Sequence, residues 1–221
     1  YKRQPVVVVP KGTTLAAGDK FEYTYAAAGT YTITIGSDAT ADKQQIPVLN
    51  FYQRAGSYNP NKLVSLETPL LNMNCSSLSK AFYSCEKLTT IPGNLFEKNT
   101  AATDFSNCFY NCILLGSIPK ELFASNTAAT NFSNCFSSCK ALTTIPESLF
   151  ANNTEATNFD QCFADCIALT TIEARLFANN ANINIIRCFY GCIALTTIST
   201  DLFANNTAIK SFNYCFYGCT A

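Results

Sequence analysis

From about residue 63 the apolar positions fall into a long-period pattern. Phe105, Cys108, Phe109 and Cys112 stand at i, i+3, i+4 and i+7, the spacing that places side chains on one face of an α-helix, and Thr103 or Asp104 ahead of them suits an N-cap. Leu115 and Ile118 then bracket a polar pair, Gly116-Ser117 here and Thr-Thr in four other copies, which predicts a short strand because β-branched residues suit extended backbone. Pro92, Pro119 and Pro146 follow the strand, where a fixed φ favours the first turn of a short helix. Asn99, Asn126, Asn153, Asn180 and Asn206 each stand three residues after a Phe, where an Asn can adopt the left-handed conformation that ends a helix. The unit therefore reads as strand, short helix, second helix.

The unit repeats. Cys108-Phe-Tyr-Asn-Cys112 recurs as Cys135-Phe-Ser-Ser-Cys139, Cys162-Phe-Ala-Asp-Cys166, Cys188-Phe-Tyr-Gly-Cys192 and Cys215-Phe-Tyr-Gly-Cys219, at steps of 27, 27, 26 and 27. Ala81-Phe-Tyr-Ser-Cys85 is an earlier copy with alanine in the first cysteine slot. The 26-residue step is a deletion between Phe177 and Cys188, in an Asn-rich loop where a repeat array tolerates a change of length. One unit buries too few side chains to offset the ordering of its backbone, at roughly 1–2 kcal/mol per residue, so stability must come from stacking on neighbours.

The expected fold class is an α/β repeat solenoid behind a small all-β N-terminal domain. Residues 1–52 hold two alternating stretches, Phe21 to Tyr25 and Tyr31 to Ile35, that read as a hairpin, with Val6 to Val9 and Ile46 to Phe51 as further strands. Residues 53–221 form the solenoid, with Leu63 to Leu78 as a degenerate first unit and repeats continuing to the last residue.

Charge narrows the function classes. The 221 residues carry 15 basic and 15 acidic side chains with no basic run, which argues against nucleic acid or an anionic membrane as partner. Apolar runs such as Val6 to Val9 fall far short of the ~20 residues that span a bilayer, so no transmembrane helix is expected. Because the sequence starts at Tyr1, a signal or lipid anchor upstream is compatible with it.

Twelve cysteines admit three readings. Cys85, Cys108, Cys112, Cys135, Cys139, Cys162, Cys166, Cys188, Cys192, Cys215 and Cys219 share the buried stripe of the phenylalanines and serve as small apolar thiols. Disulfides within or between units are the second reading, since i, i+4 cysteines lie near the upper end of disulfide geometry and Cys75 with Cys85 would complete the pairing. Zinc is the third, but it needs four converging ligands and the chain has no histidine, so no metal is expected.

Two outward sets are candidate ligand-binding residues. Thr89, Thr90, Thr143, Thr144, Thr170, Thr171, Thr196 and Thr197 would stack into a flat, uncharged, hydroxyl-bearing strip across adjacent strands, although threonine in a strand needs no ligand to explain it. Tyr83, Tyr110, Tyr190 and Tyr217 sit about 200° around the second helix from the first cysteine slot and should be exposed, with Ser137 and Ala164 replacing tyrosine in two central copies. Without histidine, a Gly-rich phosphate loop or acidic residues in matching slots, no enzyme and no cofactor is expected.

The stretch Phe82-Tyr-Ser-Cys85-Glu-Lys-Leu88-Thr-Thr-Ile-Pro92 resembles the BspA-type leucine-rich repeats of bacterial surface proteins, and more closely their variant in Bacteroides-type and Mycoplasma-type lipoproteins and some prophage proteins. The likeness covers roughly residues 63–221, and the Gly-Thr-Tyr-Thr-Ile-Thr-Ile-Gly stretch at 29–36 is similar, more loosely, to a β-domain that precedes such repeats. It implies a leucine-rich-repeat-like solenoid on an extracellular or cell-surface bacterial protein, with adhesion to a protein or glycan ligand as its function. The sequence departs from the usual repeat in placing cysteine ahead of the Phe. A structural spacer in a surface or tail fibre, with no ligand of its own, is the competing reading, and redox sensing through the cysteine pairs is a third.

Overall fold

The computed structural model describes residues 63–67, 69–70, 72–209 and 211–221. The β-rich segment expected over residues 1–52 lies outside them. The described chain is a solenoid whose successive coils start at Ser77, Asp104, Asn131, Asn158, Asn184 and Ser211, the first five joined in sequence by parallel bridges Ser77–Asp104, Asp104–Asn131, Asn131–Asn158 and Asn158–Asn184. Residues 63–67, 69–70 and 72–73 lie as a partial coil against 88–99: Thr89 N–H donates to Val64 O (2.8 Å), Leu66 N–H to Thr90 O (3.2 Å) and Leu70 N–H to Leu95 O (2.8 Å). A second parallel column holds the named strands, β1 (Thr171–Ile172) and β2 (Thr197–Ile198), with Thr171 opposite Thr197 and Ile172 opposite Ile198.

Neither helix of the expected unit forms; the described residues contain no helix. In the 105–112 segment alternate N–H groups go to different places. Those of Phe105, Asn107, Phe109 and Asn111 donate 2.8 Å bonds to the carbonyls of Asn131, Ser133, Cys135 and Ser137 in the next coil, while those of Cys108, Tyr110 and Cys112 close local turns on the carbonyls three residues back. An α-helix over this segment would turn the N–H groups of Phe109 and Asn111 onto carbonyls four residues back, so their inter-coil pairing and a helix exclude each other.

The backbone makes this possible by taking positive φ twice per coil. One column is Lys80, Asn107, Asn134, Gln161, Arg187 and Tyr214, and the other is Ser84, Asn111, Ser138, Asp165, Gly191 and Gly218. With its third residue, Asn107, at φ 56° and its second not positive, the 105–108 turn has the type II form. Apolar residues at i, i+3, i+4 and i+7 still point inward, but by a chain of turns with the same spacing. Asp104, expected as an N-cap, instead accepts the N–H of Ser106 at 3.0 Å on its carboxylate, a local turn at the coil corner.

The segment after each proline is also a run of turns. Leu95, Leu122 and Leu149 donate to the carbonyls of Pro92, Pro119 and Pro146, and Asn99 and Asn126 to Phe96 and Phe123. The asparagines that close these segments do not adopt positive φ. They are buried and form a ladder: Asn126 Nδ2 donates to Asn99 O (2.9 Å) and Phe96 O (3.3 Å), and Asn153 Nδ2 to Asn126 O (2.8 Å) and Phe123 O (3.1 Å), with Asn180 and Asn206 continuing it.

The core consists of phenylalanine stacks running along the solenoid. Phe82, Phe109, Phe136, Phe163, Phe189 and Phe216 stack with centroids 5.2–5.7 Å apart and planes within 9°. Phe96, Phe123, Phe150, Phe177 and Phe203 make a second stack at 5.8–6.1 Å. A third, Phe105, Phe132 and Phe159, meets the second edge-on at about 5 Å. Near-parallel rings at these spacings are offset stacks, each contributing roughly 0.5–1.5 kcal/mol beyond burial.

Candidate functional site

The threonine strip lies on the surface along the second parallel column. Thr89, Thr90, Thr143, Thr144, Thr170, Thr196 and Thr197 are exposed and Thr171 is half-buried. The two threonines differ in three of the four pairs, Thr143-Thr144 being the exception with no side-chain hydrogen bond at either position among the described residues. The first turns its hydroxyl back onto the preceding coil: Thr89 Oγ1 donates to Val64 O (3.1 Å), Thr170 Oγ1 to Thr143 O (3.4 Å) and Thr196 Oγ1 to Thr170 O (3.3 Å). The second, at Thr90, Thr144, Thr171 and Thr197, makes no side-chain hydrogen bond among the described residues, so these hydroxyls are available to a ligand. Where Gly116 and Ser117 replace the pair, no main-chain bond joins them to Thr143 and Thr144 among the described residues.

The tyrosines do not stand free as expected. Tyr83 and Tyr110 are half-buried and stack at 4.8 Å with planes 12° apart; half-buried Tyr190 and the 61% exposed Tyr217 stack at 5.5 Å. Ser137 and Ala164, which interrupt the column, are buried. The four tyrosines are therefore two stacked pairs separated by two coils. Arg187 lies over the exposed ring of Tyr214 at 5.3 Å, a cation–π contact beside the second pair that spacing alone did not indicate.

All twelve cysteines are free thiols, buried except for the half-buried Cys75 and Cys219. The second cysteine of each pair donates to a phenylalanine carbonyl of the preceding coil: Cys112 to Phe82, Cys139 to Phe109, Cys166 to Phe136, Cys192 to Phe163 and Cys219 to Phe189, all at 3.2–3.3 Å. Burial pushes the thiols of Cys85, Cys192 and Cys215 up to about 12, and those of Cys108, Cys112, Cys135, Cys139, Cys166 and Cys188 well above their ordinary value. A thiol held protonated in an apolar column is a poor nucleophile and a poor metal ligand. Among the described residues no cluster of His, Cys, Asp or Glu is arranged to hold a metal ion, and no helix is long and apolar enough to cross a membrane.

A surface groove of about 640 Å3 lies elsewhere, lined among the described residues by Thr157, Asn158, Asn182, Ile183, Asn184, Ala208 and Ser211. A smaller recess of about 110 Å3 sits between Gly93, Glu97 and Glu121.

No protein-family model matches the chain, and no curated protein matches it. Solved structures similar to it include a chain of the Toll–Spatzle complex of Drosophila, in its glycosylated form (22% identity, TM-score 0.38, covering 55% of this chain and 15% of that one). Others are a leucine rich cell surface protein of Faecalibacterium prausnitzii (24%, TM-score 0.33, 56% and 35%) and a leucine-rich repeat protein of Bacteroides ovatus (21%, TM-score 0.35, 63% and 38%). The chain thus spans between 15% and 38% of the length of these structures.

Proposed function

We propose that the solenoid is a binding module displayed on a bacterial cell surface, of the leucine-rich-repeat kind and close to the BspA type, which adheres to a protein or glycan through its threonine strip. The observation that supports this most is the division of labour within three of the four Thr-Thr pairs. The hydroxyls of Thr89, Thr170 and Thr196 fasten adjacent coils together, and those of Thr90, Thr144, Thr171 and Thr197 have no internal partner among the described residues, leaving a donor and an acceptor for a ligand. The stacked tyrosine pairs, Tyr83 with Tyr110 and Tyr190 with Tyr217, add rigid aromatic surface of the kind that anchors interfaces.

The test replaces Thr90, Thr144, Thr171 and Thr197 with valine, which keeps β-branching and shape but removes the hydroxyls. The full chain and this variant are compared for capture of extracellular-matrix proteins and immobilised glycans. A variant that folds normally and loses capture supports the strip. A wild-type chain that captures nothing favours a structural spacer.

A further inference from the structure

Ten of the twelve cysteines are buried, nine of them with no exposure and Cys215 with 1%. They run through the core as two columns, one from Cys108 to Cys215 in the first slot of each coil and one from Cys85 to Cys219 in the second. Both slots suit a bare thiol and nothing larger. Ala81 fills the first slot of the earliest copy with no exposure, so that position is met by a small apolar side chain. In the second slot the thiol hydrogen itself is used, since Cys112, Cys139 and Cys166 donate to Phe82, Phe109 and Phe136 of the preceding coil at 3.2–3.3 Å. A disulfide sulfur has no hydrogen to donate, and a sulfur that carries a glutathione must place a tripeptide where the close-packed core leaves no room.

Damage to one coil also reaches its neighbours. Phe136, beside Cys135, stacks on Phe109 at 5.4 Å and on Phe163 at 5.6 Å, so an inner coil that cannot close removes two interfaces at once. Stability in a repeat array is a sum over neighbouring units, and one adduct at Cys139 or Cys162 therefore divides the array.

We propose that the thiols gate assembly of the solenoid: the chain folds only while they are reduced, and the folded array then shields them, so a disulfide oxidant blocks the fold when it arrives before folding and is harmless afterwards. The chemistry differs between the two states. In the unfolded chain a cysteine thiolate attacks one sulfur of oxidised glutathione; the S–S bond of the reagent breaks, a mixed disulfide forms on the protein, and one glutathione leaves as a thiolate that takes up the proton the cysteine gave up. A second cysteine thiolate attacking that mixed disulfide releases the other glutathione and closes an intrachain disulfide. Two protein thiols are then oxidised and one reagent molecule is reduced to two glutathiones. In the folded chain the buried positions present no sulfur surface to attack. Burial also pushes the thiols of Cys85, Cys192 and Cys215 up to about 12 from an ordinary 9.0, which leaves roughly a thousandfold less thiolate at neutral pH. A chain built this way is suited to folding before it meets an oxidising medium. The gate operates whether or not the threonine strip binds a ligand.

The experiment exposes the full chain to oxidised glutathione in two orders, after folding and while unfolded in urea with later dilution. Mass spectrometry locates adducts and bridges, and circular dichroism with size-exclusion chromatography reads the fold. The folded chain should keep its spectrum and gain adducts only at the half-buried Cys75 and Cys219, with Cys139 and Cys162 reacting slower than in urea by about a hundredfold or more. The chain oxidised in urea should carry adducts or bridges along both columns and remain expanded after dilution, and dithiothreitol should return it to the native spectrum. A modified chain that regains that spectrum without reductant overturns the gate, as does slowing at Cys139 and Cys162 by less than the stated factor. A chain that stays unfolded once dithiothreitol has removed every adduct overturns it too, since the reduced state would then not be the one that folds.

Discussion

The thiol of Cys139 donates a 3.3 Å hydrogen bond to the carbonyl of Phe109, a residue thirty positions earlier that lies in the preceding coil. The same bond recurs from Cys112, Cys166, Cys192 and Cys219, so these cysteines tie neighbouring coils together as reduced thiols. A thiol reagent should therefore label the native protein rapidly only at the half-buried Cys75 and Cys219, and the rest only after denaturant is added. Mass spectrometry of the labelled peptides reads this directly. Fast native labelling of Cys139 or Cys166 would contradict the packing described here.

Alkaline pH should unfold the solenoid. A cysteine whose folded pKa is raised holds its proton in the native state at pH values where the unfolded chain has lost it, so stability is intact below the ordinary value near 9.0 and falls as pH rises from there toward about 12. Each buried thiol contributes a slope of up to about 1.4 kcal/mol per pH unit in that window. Urea titrations between pH 7 and 11 measure it, and Cys215→Ala should show a shallower decline than the wild type.

Interior positions should respond according to their stack. Phe136 lies between Phe109 and Phe163 at 5.4 and 5.6 Å with no exposure, and Phe136→Ala should lower stability by about 3–5 kcal/mol. Asn153→Ala removes two donated bonds from a fully buried amide, while the carbonyls of Phe123 and Asn126 keep the main-chain N–H groups of Asn126 and Ala129, a loss of about 1–3 kcal/mol. Both values come from chemical denaturation, and a loss below about 1 kcal/mol at Phe136 would mean that its stack contributes little.

Positive φ at an ordinary side chain is a local cost that glycine removes. Gln161 sits at φ 55° in the column that also contains Asn107 and Asn134. Gln161→Gly should stabilise the protein by up to about 1 kcal/mol, while Gln161→Val should destabilise it by more, because a β-branched residue is the least tolerant of this region. Differential scanning calorimetry separates the pair by the sign of the change in Tm.

The repeat itself was legible because each stack demands the same residue in the same slot of every coil: a phenylalanine ladder appears in the sequence as a phenylalanine every 26 or 27 positions. The helices were misread for an equally physical reason. A chain of turns with two left-handed residues four apart places Phe105, Cys108, Phe109 and Cys112 inward at the spacing an α-helix would use. One column carried a usable signal, since Ser84, Asn111, Ser138, Asp165, Gly191 and Gly218 are all turn-forming residues ahead of the second cysteine slot. The other contains Lys80, Gln161, Arg187 and Tyr214, whose local preferences oppose the conformation they adopt, so only pairing with the next coil reveals it.

The alternating N–H groups of the 105–111 segment all face the following coil, while the donors of Asn126, Cys112 and Thr130 all face the preceding one. Each coil thus has two chemically different sides, and only a front meets a back. The array is a directional polymer: a whole coil can be inserted, duplicated or removed without rewriting its neighbours, provided it keeps its orientation. Two such arrays brought together front to front would confront donor with donor along the main-chain column, so this architecture extends in register in one sense and resists symmetric end-to-end pairing.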